Sequence, residues 1–108
     1  MDLAFESRQI REICEVAQVA EASLGPEVAG SLRGRLSDIE AASSIRDIVL
    51  GNLRLAEQGN NDRMMIDISP EYRLIFCANH AKNPVTTEKA LDWERVSRVK
   101  IQAIEKRP

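Results

Sequence analysis

Apolar and polar positions alternate most clearly between Arg63 and His80, and this alternation predicts two β-strands joined by a tight turn. A period of two residues is the spacing at which side chains share one face of a strand. The apolar positions are Met64, Ile66 and Ile68 in the first strand and Tyr72, Leu74 and Phe76 in the second. Ser69-Pro70-Glu71 supplies the turn, because proline fixes φ near the value that the first central position of a turn requires.

The pairing of the two strands follows from keeping one face apolar. If only Ser69–Glu71 are unpaired, Ile66 faces Leu74, and Asp67 faces Arg73 on the opposite side. A two-residue loop would place charged side chains among apolar ones, because a slip of one residue moves every side chain to the other face. We therefore expect the first register, with Arg73 on the less buried face and its guanidinium directed by Asp67.

The pattern along the whole chain predicts one α+β domain over residues 1–108, with a strand first, two helices next and further strands last. The first half is predicted to contain an opening strand with Met1, Leu3 and Phe5, a helix from Ser7 to Leu24, and a helix from Pro26 with Val28, Leu32, Leu36 and Ile39. A capped turn at Ser44–Asp47, a strand around Arg54 and a loop at Gln58–Asp62 lead to the central hairpin. After the hairpin come an exposed loop at Asn79–Glu88 and a final strand with Val96, Val99, Ile101 and Ala103. Gly25 and Pro26 suit the end of one helix and the start of the next. Trp93 is expected to anchor the long loop on the core. This order indicates an antiparallel sheet of four or five strands with a helical hairpin packed on one face.

Composition bounds the class of protein. The chain has 108 residues, of which 44% are hydrophobic and 30% charged, as in ordinary globular domains. No apolar run could span a bilayer and no signal peptide precedes the domain, so a cytoplasmic protein is expected. Cys14 and Cys77 lack the neighbours of a zinc site and are expected to be buried free thiols, with no metal or cofactor.

Charge is unevenly distributed although the net charge is only −2. Up to Glu57 there are ten acidic residues and six arginines; after it there are seven acidic and nine basic residues. Such a division permits one basic face on an otherwise acidic protein. The alternative interpretation is an ordinary solvated surface.

The sequence contains no catalytic triad, zinc signature, phosphate loop or dinucleotide fingerprint. The candidate chemistry lies in cations on or beside the predicted sheet, namely Arg54, Arg63, Arg73, Arg98 and Lys100, with His80 just past a strand end. Arginines bind phosphate through paired hydrogen bonds and stabilise charge that develops during phosphodiester cleavage. A histidine can act as acid or base near neutral pH. The alternative interpretation of each residue, taken alone, is an ordinary surface charge.

Three stretches resemble the HigB-type plasmid-maintenance killer toxins of the RelE/ParE superfamily. They are Leu32-Arg33-Gly34-Arg35-Leu36-Ser37-Asp38-Ile39-Glu40-Ala41-Ala42, then Ile66-Asp67-Ile68 with Tyr72-Arg73-Leu74-Ile75-Phe76, and then Leu91-Asp92-Trp93 leading to Val96, Val99 and Ile101. The resemblance covers nearly the whole chain, and its most specific part is the Tyr-Arg-Leu-Ile-Phe strand with the downstream Asp-Trp.

This resemblance implies a RelE-like fold, in which the antiparallel sheet has a mixed edge and the N-terminal helical hairpin packs on one face. It also implies the toxin of a type II toxin–antitoxin system. Such toxins act as mRNA interferases: they cut mRNA on the ribosome without a metal, and the RNA 2′-hydroxyl attacks its own phosphate. The implied partner is a HigA-like helix-turn-helix antitoxin. The toxin would contact operator DNA only through this antitoxin. Arg73 matches the active-site strand arginine of the family.

With Arg73, the predicted catalytic residues are Arg63 and His80, and the predicted RNA-binding residues are Arg54, Arg98, Lys100 and Lys106. The chain ends Ile104-Glu105-Lys106-Arg107-Pro108 where close relatives commonly have Asp-Tyr-His, and Arg63 and Lys106 are the candidates to replace that segment. Two alternatives stay open. One is a toxin-fold binding module without catalysis that works through its partner, and the other is a gyrase inhibitor of the ParE branch.

Overall fold

The computed structural model describes residues 1–108, which form an α+β domain with a strand first. The elements are β1 (Asp2–Phe5), α1 (Arg8–Glu15), α2 (Ala17–Leu24), α3 (Pro26–Ala41), β2 (Arg54–Glu57), β3 (Asn60–Asp67), β4 (Tyr72–Ala78) and β5 (Arg98–Lys106), with single 3-10 turns at Ile45–Asp47 and Trp93–Arg95. No helix in the structure has the length and apolar character needed to cross a bilayer.

The strands form one five-stranded sheet in the order β1-β5-β4-β3-β2. The pairs β2–β3, β3–β4 and β4–β5 are antiparallel, whereas β1 at the edge runs parallel to β5. The predicted antiparallel sheet with a mixed edge is therefore confirmed. The hairpin β3–β4 occupies the interior of the sheet, so its two faces decide what the sheet presents to either side.

The predicted register of this hairpin is also confirmed. Ile66 pairs with Leu74, Met64 with Phe76, and Asp67 with Arg73. The turn is closed by the backbone N–H of Ile68, which donates to the carbonyl of Tyr72 at 2.9 Å. The requirement that one face stay apolar was thus sufficient to set the pairing.

The helices depart from the prediction of one helical hairpin, because the first predicted helix is two helices. The chain breaks at Val16, whose backbone is extended (φ −111°, ψ 108°) although its N–H still bonds to the carbonyl of Glu12. A β-branched residue has low helix propensity and tolerates this conformation. The break lets α1 lie against β1 and β5 while α2 packs on α3. Gly25 (φ +86°) and Pro26 separate α2 from α3 as predicted.

The predicted loop at Gln58–Asp62 is wrong in part. β3 already begins at Asn60, and only Gln58 and Gly59 connect it to β2. The polar side chains of Asn60, Asn61 and Asp62 stand on a two-stranded ribbon that extends beyond the core. A hydrophobic pattern cannot predict the part of a strand that carries no apolar side chains.

The core lies between the helices and one face of the sheet. Its fully buried large side chains are Phe76, Leu32, Ile39, Ile66, Leu74, Ile101, Val96 and Val99. Trp93 closes it as predicted: its ring meets Phe76 edge-to-face at 5.9 Å, and its Nε1–H donates to the carbonyl of Asn61. This contact fixes the long loop after β4 against the β2–β3 ribbon.

Candidate functional site

The face of the sheet away from the helices, here called the open face, carries three rows of side chains that cross neighbouring strands. The rows, read from the strand pairing, are Arg63, Cys77 and Lys100; then Arg54, Met65, Ile75 and Ala103; then Asp67, Arg73 and Glu105. Side chains on one strand alternate between faces, so the rows follow directly from the register. Arg73 thus stands on an interior strand between two carboxylates.

Arg73 forms an ion pair with Glu105. Its Nε donates to Oε1 of Glu105 at 2.9 Å, and its Nη2 lies 2.7 Å from the same oxygen. The side chain is 22% exposed, and its Nη1 makes no hydrogen bond within the chain. The expectation that Asp67 directs this guanidinium is wrong. Glu105 on the other neighbouring strand does so instead, because the carboxylate of Asp67 binds other arginines.

Asp67 is contacted by three arginines at this end of the sheet. Its Oδ1 accepts from Nη2 of Arg54 at 3.1 Å and lies 3.5 Å from Nε of Arg107. Its backbone N–H donates to the carbonyl of Gly51 at 2.7 Å, and its own carbonyl accepts from Nε of Arg35 at 3.0 Å. The side chain is only 16% exposed, so the carboxylate offsets the charge of arginines that water reaches poorly.

Arg35 and Arg107 were not predicted as site residues. Together with Gly51 and Asp67 they line a polar cleft of about 530 Å³ beside the hairpin turn. Arg107 also holds the turn, since its Nη1 donates to the carbonyl of Ser69 at 3.1 Å. The sequence offers one usable signal for this arrangement: Asp67 is a carboxylate at the end of a strand that is otherwise apolar on alternate positions.

The remaining cations of the open face are also paired. Arg63 binds Glu57 across the β2–β3 ribbon, and Lys100 lies 2.9 Å from Glu6. The hydrogen bond to Glu6, and then its negative charge, raise the pKa of Lys100. At the sheet edge Arg98 lies 3.6 Å from Asp2, where both side chains are exposed. Positive charge on this face is therefore largely balanced locally.

His80 and Lys106 lie away from Arg73. The Nε2 of His80 accepts backbone N–H groups of Ser97 at 3.0 Å and Arg98 at 3.3 Å. His80 lies two positions beyond the end of β4, and the five steps from Arg73 to Ala78 along that strand already span about 16 Å at the usual rise. Lys106 is exposed and pairs with Tyr72, one position further along β5 than Glu105 and on the alternate face. The structure brings neither residue to the Arg73 row.

Both cysteines are free and only partly buried. Burial, followed by the charge of Glu15, raises the pKa of the Cys14 thiol to about 12. Burial also raises the pKa of Cys77, and the nearby cations Lys100 and Arg63 oppose this shift. Neither thiol is an activated nucleophile. No group of three or more His, Cys, Asp or Glu side chains is placed to hold a metal ion.

Comparison of the chain with protein-family models, with curated proteins and with solved structures finds no match. On the open face, a polyanion would find one interior guanidinium with a free Nη1, flanked by Arg54 and by carboxylates that it would have to displace or engage. Bidentate guanidinium–phosphate contacts are among the strong hydrogen bonds available to proteins.

Proposed function

We propose that the chain is the toxin of a type II toxin–antitoxin pair, acting in the cytoplasm as a metal-independent endonuclease on ribosome-bound mRNA. The observation that carries this proposal is the place of Arg73 on an interior strand of the helix-free face, with Nη1 unpaired. The order of strand, helices and strands, and the hairpin with its Tyr-Arg-Leu-Ile-Phe strand, are consistent with the RelE-like fold that the sequence resemblance implies.

Cleavage of RNA by its own 2′-hydroxyl depends more on stabilising the negative charge that develops on the phosphate than on a strong base. The RNA 2′-oxygen loses its proton and bonds to the adjacent phosphorus while the bond from phosphorus to the 5′-oxygen breaks. The 5′-oxygen takes up a proton from water, which leaves a 2′,3′-cyclic phosphate and a 5′-hydroxyl end. Arg73 would donate from Nη1 to a phosphate oxygen whose negative charge grows during this step. Glu105 holds the guanidinium through Oε1, and its Oε2 makes no hydrogen bond within the chain, so it is free to accept the 2′-hydroxyl proton.

Arg73→Ala tests this role in growing cells. Expression of the wild-type chain without its partner should arrest growth, whereas Arg73→Ala should relieve the arrest because the phosphate charge loses its donor. Arg46→Ala is the matched control, since Arg46 is 73% exposed and pairs only with Glu94 on another surface. Equal thermal stability of the two variants would separate chemistry from folding. Undiminished arrest by Arg73→Ala would count against the proposal.

A second candidate is a toxin-fold binding module that works only in complex with its helix-turn-helix antitoxin and reaches operator DNA through it. The observation in its favour is that every cation in the open-face rows has a carboxylate partner, while His80 is engaged with backbone. Harmless expression of the free wild-type chain, together with tight binding of the partner, would favour this function over the nuclease.

A further inference from the structure

The polar cleft beside the hairpin turn, here called the Arg35–Arg107 cleft, lies between α3 and the end of the β3–β4 hairpin. Its helix side is lined by Glu27, Ser31 and Arg35, which are spaced four residues apart and therefore share one face of α3. Its hairpin side is lined by the turn and by Arg107. A volume of about 530 Å³ is within the range of small-molecule sites in proteins.

Asp67 holds both guanidinium groups of the cleft. The Nε of Arg35 donates to its carbonyl oxygen at 3.0 Å, and the Nε of Arg107 lies 3.5 Å from its Oδ1. Each guanidinium also has a second anchor. The Nη1 of Arg35 donates to Oδ2 of Asp38 at 3.3 Å. The Nη1 of Arg107 donates to the carbonyl of Ser69 at 3.1 Å. The two side chains are only 24% and 34% exposed, so both are held in place within the chain.

Both guanidiniums keep unused donors after these contacts. An arginine has five N–H groups, and the Nη2 of Arg35 and the Nη2 of Arg107 make no hydrogen bond within the chain. Hydrogen bonds between a guanidinium and phosphate oxygens are strong and directional, and they are strongest where the guanidinium is already oriented. Two oriented guanidiniums with free N–H groups in one cleft therefore favour a phosphate as the ligand.

Two carboxylates at the rim of the cleft restrict the rest of the ligand. Glu27 and Glu71 are exposed and form no ion pair. Glu27 lies eight residues before Arg35 on α3, about 12 Å along the helix axis. Carboxylates repel further anionic groups and accept hydrogen bonds from amino and hydroxyl groups. The cleft therefore suits a molecule with one phosphate at one end and N–H or O–H donors at the other, as in a nucleotide.

We propose that the Arg35–Arg107 cleft binds a nucleotide. Its phosphate accepts hydrogen bonds from the free Nη2 groups of Arg35 and Arg107, and amino or hydroxyl groups of its base and ribose donate to Glu27 and Glu71. The inference goes beyond the proposed nuclease and does not require it, since a site for a free nucleotide needs no cleavage.

Two sources supply this chemistry, a free mononucleotide and one nucleotide unit of an RNA strand. The second source would connect the cleft with the open face, because Glu105, which binds Arg73, precedes Arg107 by two positions. The pairing of β5 with β4 continues to this point, since the backbone N–H of Arg107 donates to the carbonyl of Glu71 at 2.8 Å. Two residues of extended chain span about 7 Å.

Calorimetric titration of the full chain tests the proposal with three probes: cytidine 5′-monophosphate, inorganic phosphate, and a short oligouridylate with hydroxyl groups at both ends. Cytidine 5′-monophosphate should bind more tightly than phosphate, because its amino and hydroxyl groups reach the rim carboxylates. Arg35→Gln and Arg107→Gln should each weaken its binding about tenfold, the usual effect of losing a hydrogen bond to a charged group. Arg46→Gln is the matched control, since Arg46 is exposed and pairs with Glu94 on another surface.

A second pair of variants leaves both arginines in place, because Arg35 and Arg107 also hold Asp67 and the turn. Ser31→Asp adds a carboxylate one helical turn from Arg35, inside the cleft. It should weaken the binding of cytidine 5′-monophosphate about fivefold or more, since the new carboxylate competes with the phosphate for the free Nη2. Ser37→Asp is its control, on an exposed position of the same helix outside the lining of the cleft.

Weaker binding of cytidine 5′-monophosphate by the cleft variants would support a site for a free nucleotide, and weaker binding of the oligouridylate by the same variants would identify an RNA strand as the source. Wild-type chain that binds neither probe, or Ser31→Asp that binds both as tightly as the wild type, would overturn the proposal. Phosphate bound as tightly as cytidine 5′-monophosphate would overturn the assignment of a nucleotide. Nucleotide binding by a chain that cuts no mRNA would refute the nuclease alone.

Discussion

The two faces of the β3–β4 hairpin are built from alternate residues of the same strands, yet they are held together by different forces. On the helix side Ile66, Leu74 and Phe76 are fully buried among apolar neighbours. On the open side Asp67, Arg73 and Cys77 are partly exposed, and the two charged residues bind partners on other elements. Hydrophobic burial stabilises the first face and leaves the second free to carry charge.

One residue does not follow this division between the two faces. Ile75 lies on the open face yet is only 5% exposed, and it is not part of the core beneath the helices. It pairs with Met65 and Ala103, between the rows that contain Arg63 and Arg73. The long stems of arginine side chains cover apolar surface while their charged ends reach water. The open face therefore includes a small apolar area, formed by Met65, Ile75 and Ala103, between its ion pairs.

The largest expected effect is on the helix side. Phe76→Ala should lower the free energy of unfolding by about 3–5 kcal/mol, because it removes a fully buried ring and its contact with Trp93. Met65→Ala on the open face should cost less than about 2 kcal/mol, since that side chain is only partly buried. Urea unfolding measures both. Equal losses would show that the open face is packed as a second core.

The next largest effect on stability is expected at Gly51, where the loop before β2 meets the hairpin. Gly51→Ala should destabilise the fold by about 1–3 kcal/mol, because its φ is positive and its Cβ would meet Ile66 and the carbonyl of Asp67. Gly30→Ala, on α3 with no atom within contact of its Cβ, should instead stabilise by about 0.5–1 kcal/mol. Melting temperatures that move in the same direction for both would contradict this difference.

A smaller loss of stability is expected when Asp67 on the open face is substituted. Asp67→Asn should cost about 1–2 kcal/mol, because Arg54 and Arg107 lose the carboxylate that compensates their charge. Asp62→Asn should be close to neutral, since its exposed carboxylate forms no ion pair. Chemical unfolding of both variants at low and high salt measures the difference. A neutral Asp67→Asn would mean that the arginine cluster contributes nothing to stability.

The smallest effect distinguishes the two thiols. Cys14, on α1, should react with iodoacetamide more slowly than Cys77 at about pH 8, because its pKa is raised to about 12 while cations oppose the shift at Cys77. The pKa of Cys14 is higher in the folded than in the unfolded chain, so its contribution to stability is present below its ordinary value of 9.0 and is lost as the pH rises towards 12. Mass spectrometry measures the rate at which each cysteine is alkylated. Faster alkylation of Cys14 than of Cys77 would contradict the expected order of reactivity.

The hairpin register could be predicted from the sequence, because it follows from local periodicity and from keeping one face apolar. The sequence did not predict the break at Val16, which depends on where α1 must lie against β1. It also missed the partner of Arg73. Glu105 is 32 residues away along the chain, and only the neighbouring position of β5 brings the two together.

The same limitation applies to Arg35 and Arg107. Nothing near them in the sequence indicates that both converge on Asp67, because Arg35 belongs to α3 and Arg107 follows β5. Long-range ion pairs depend on tertiary geometry, which a residue pattern along the chain does not contain. The Tyr-Arg-Leu-Ile-Phe strand was more informative, since its alternation alone placed Arg73 on the face opposite the core.

The role of Arg73 is tested most directly by mapping the 5′ ends of ribosome-bound mRNA after induction of the free chain. This role predicts new internal ends, bearing 5′-hydroxyl groups, with the wild type and Arg46→Ala, and their disappearance with Arg73→Ala. The same ends at the same frequency in Arg73→Ala, from a variant that is equally folded, would contradict it.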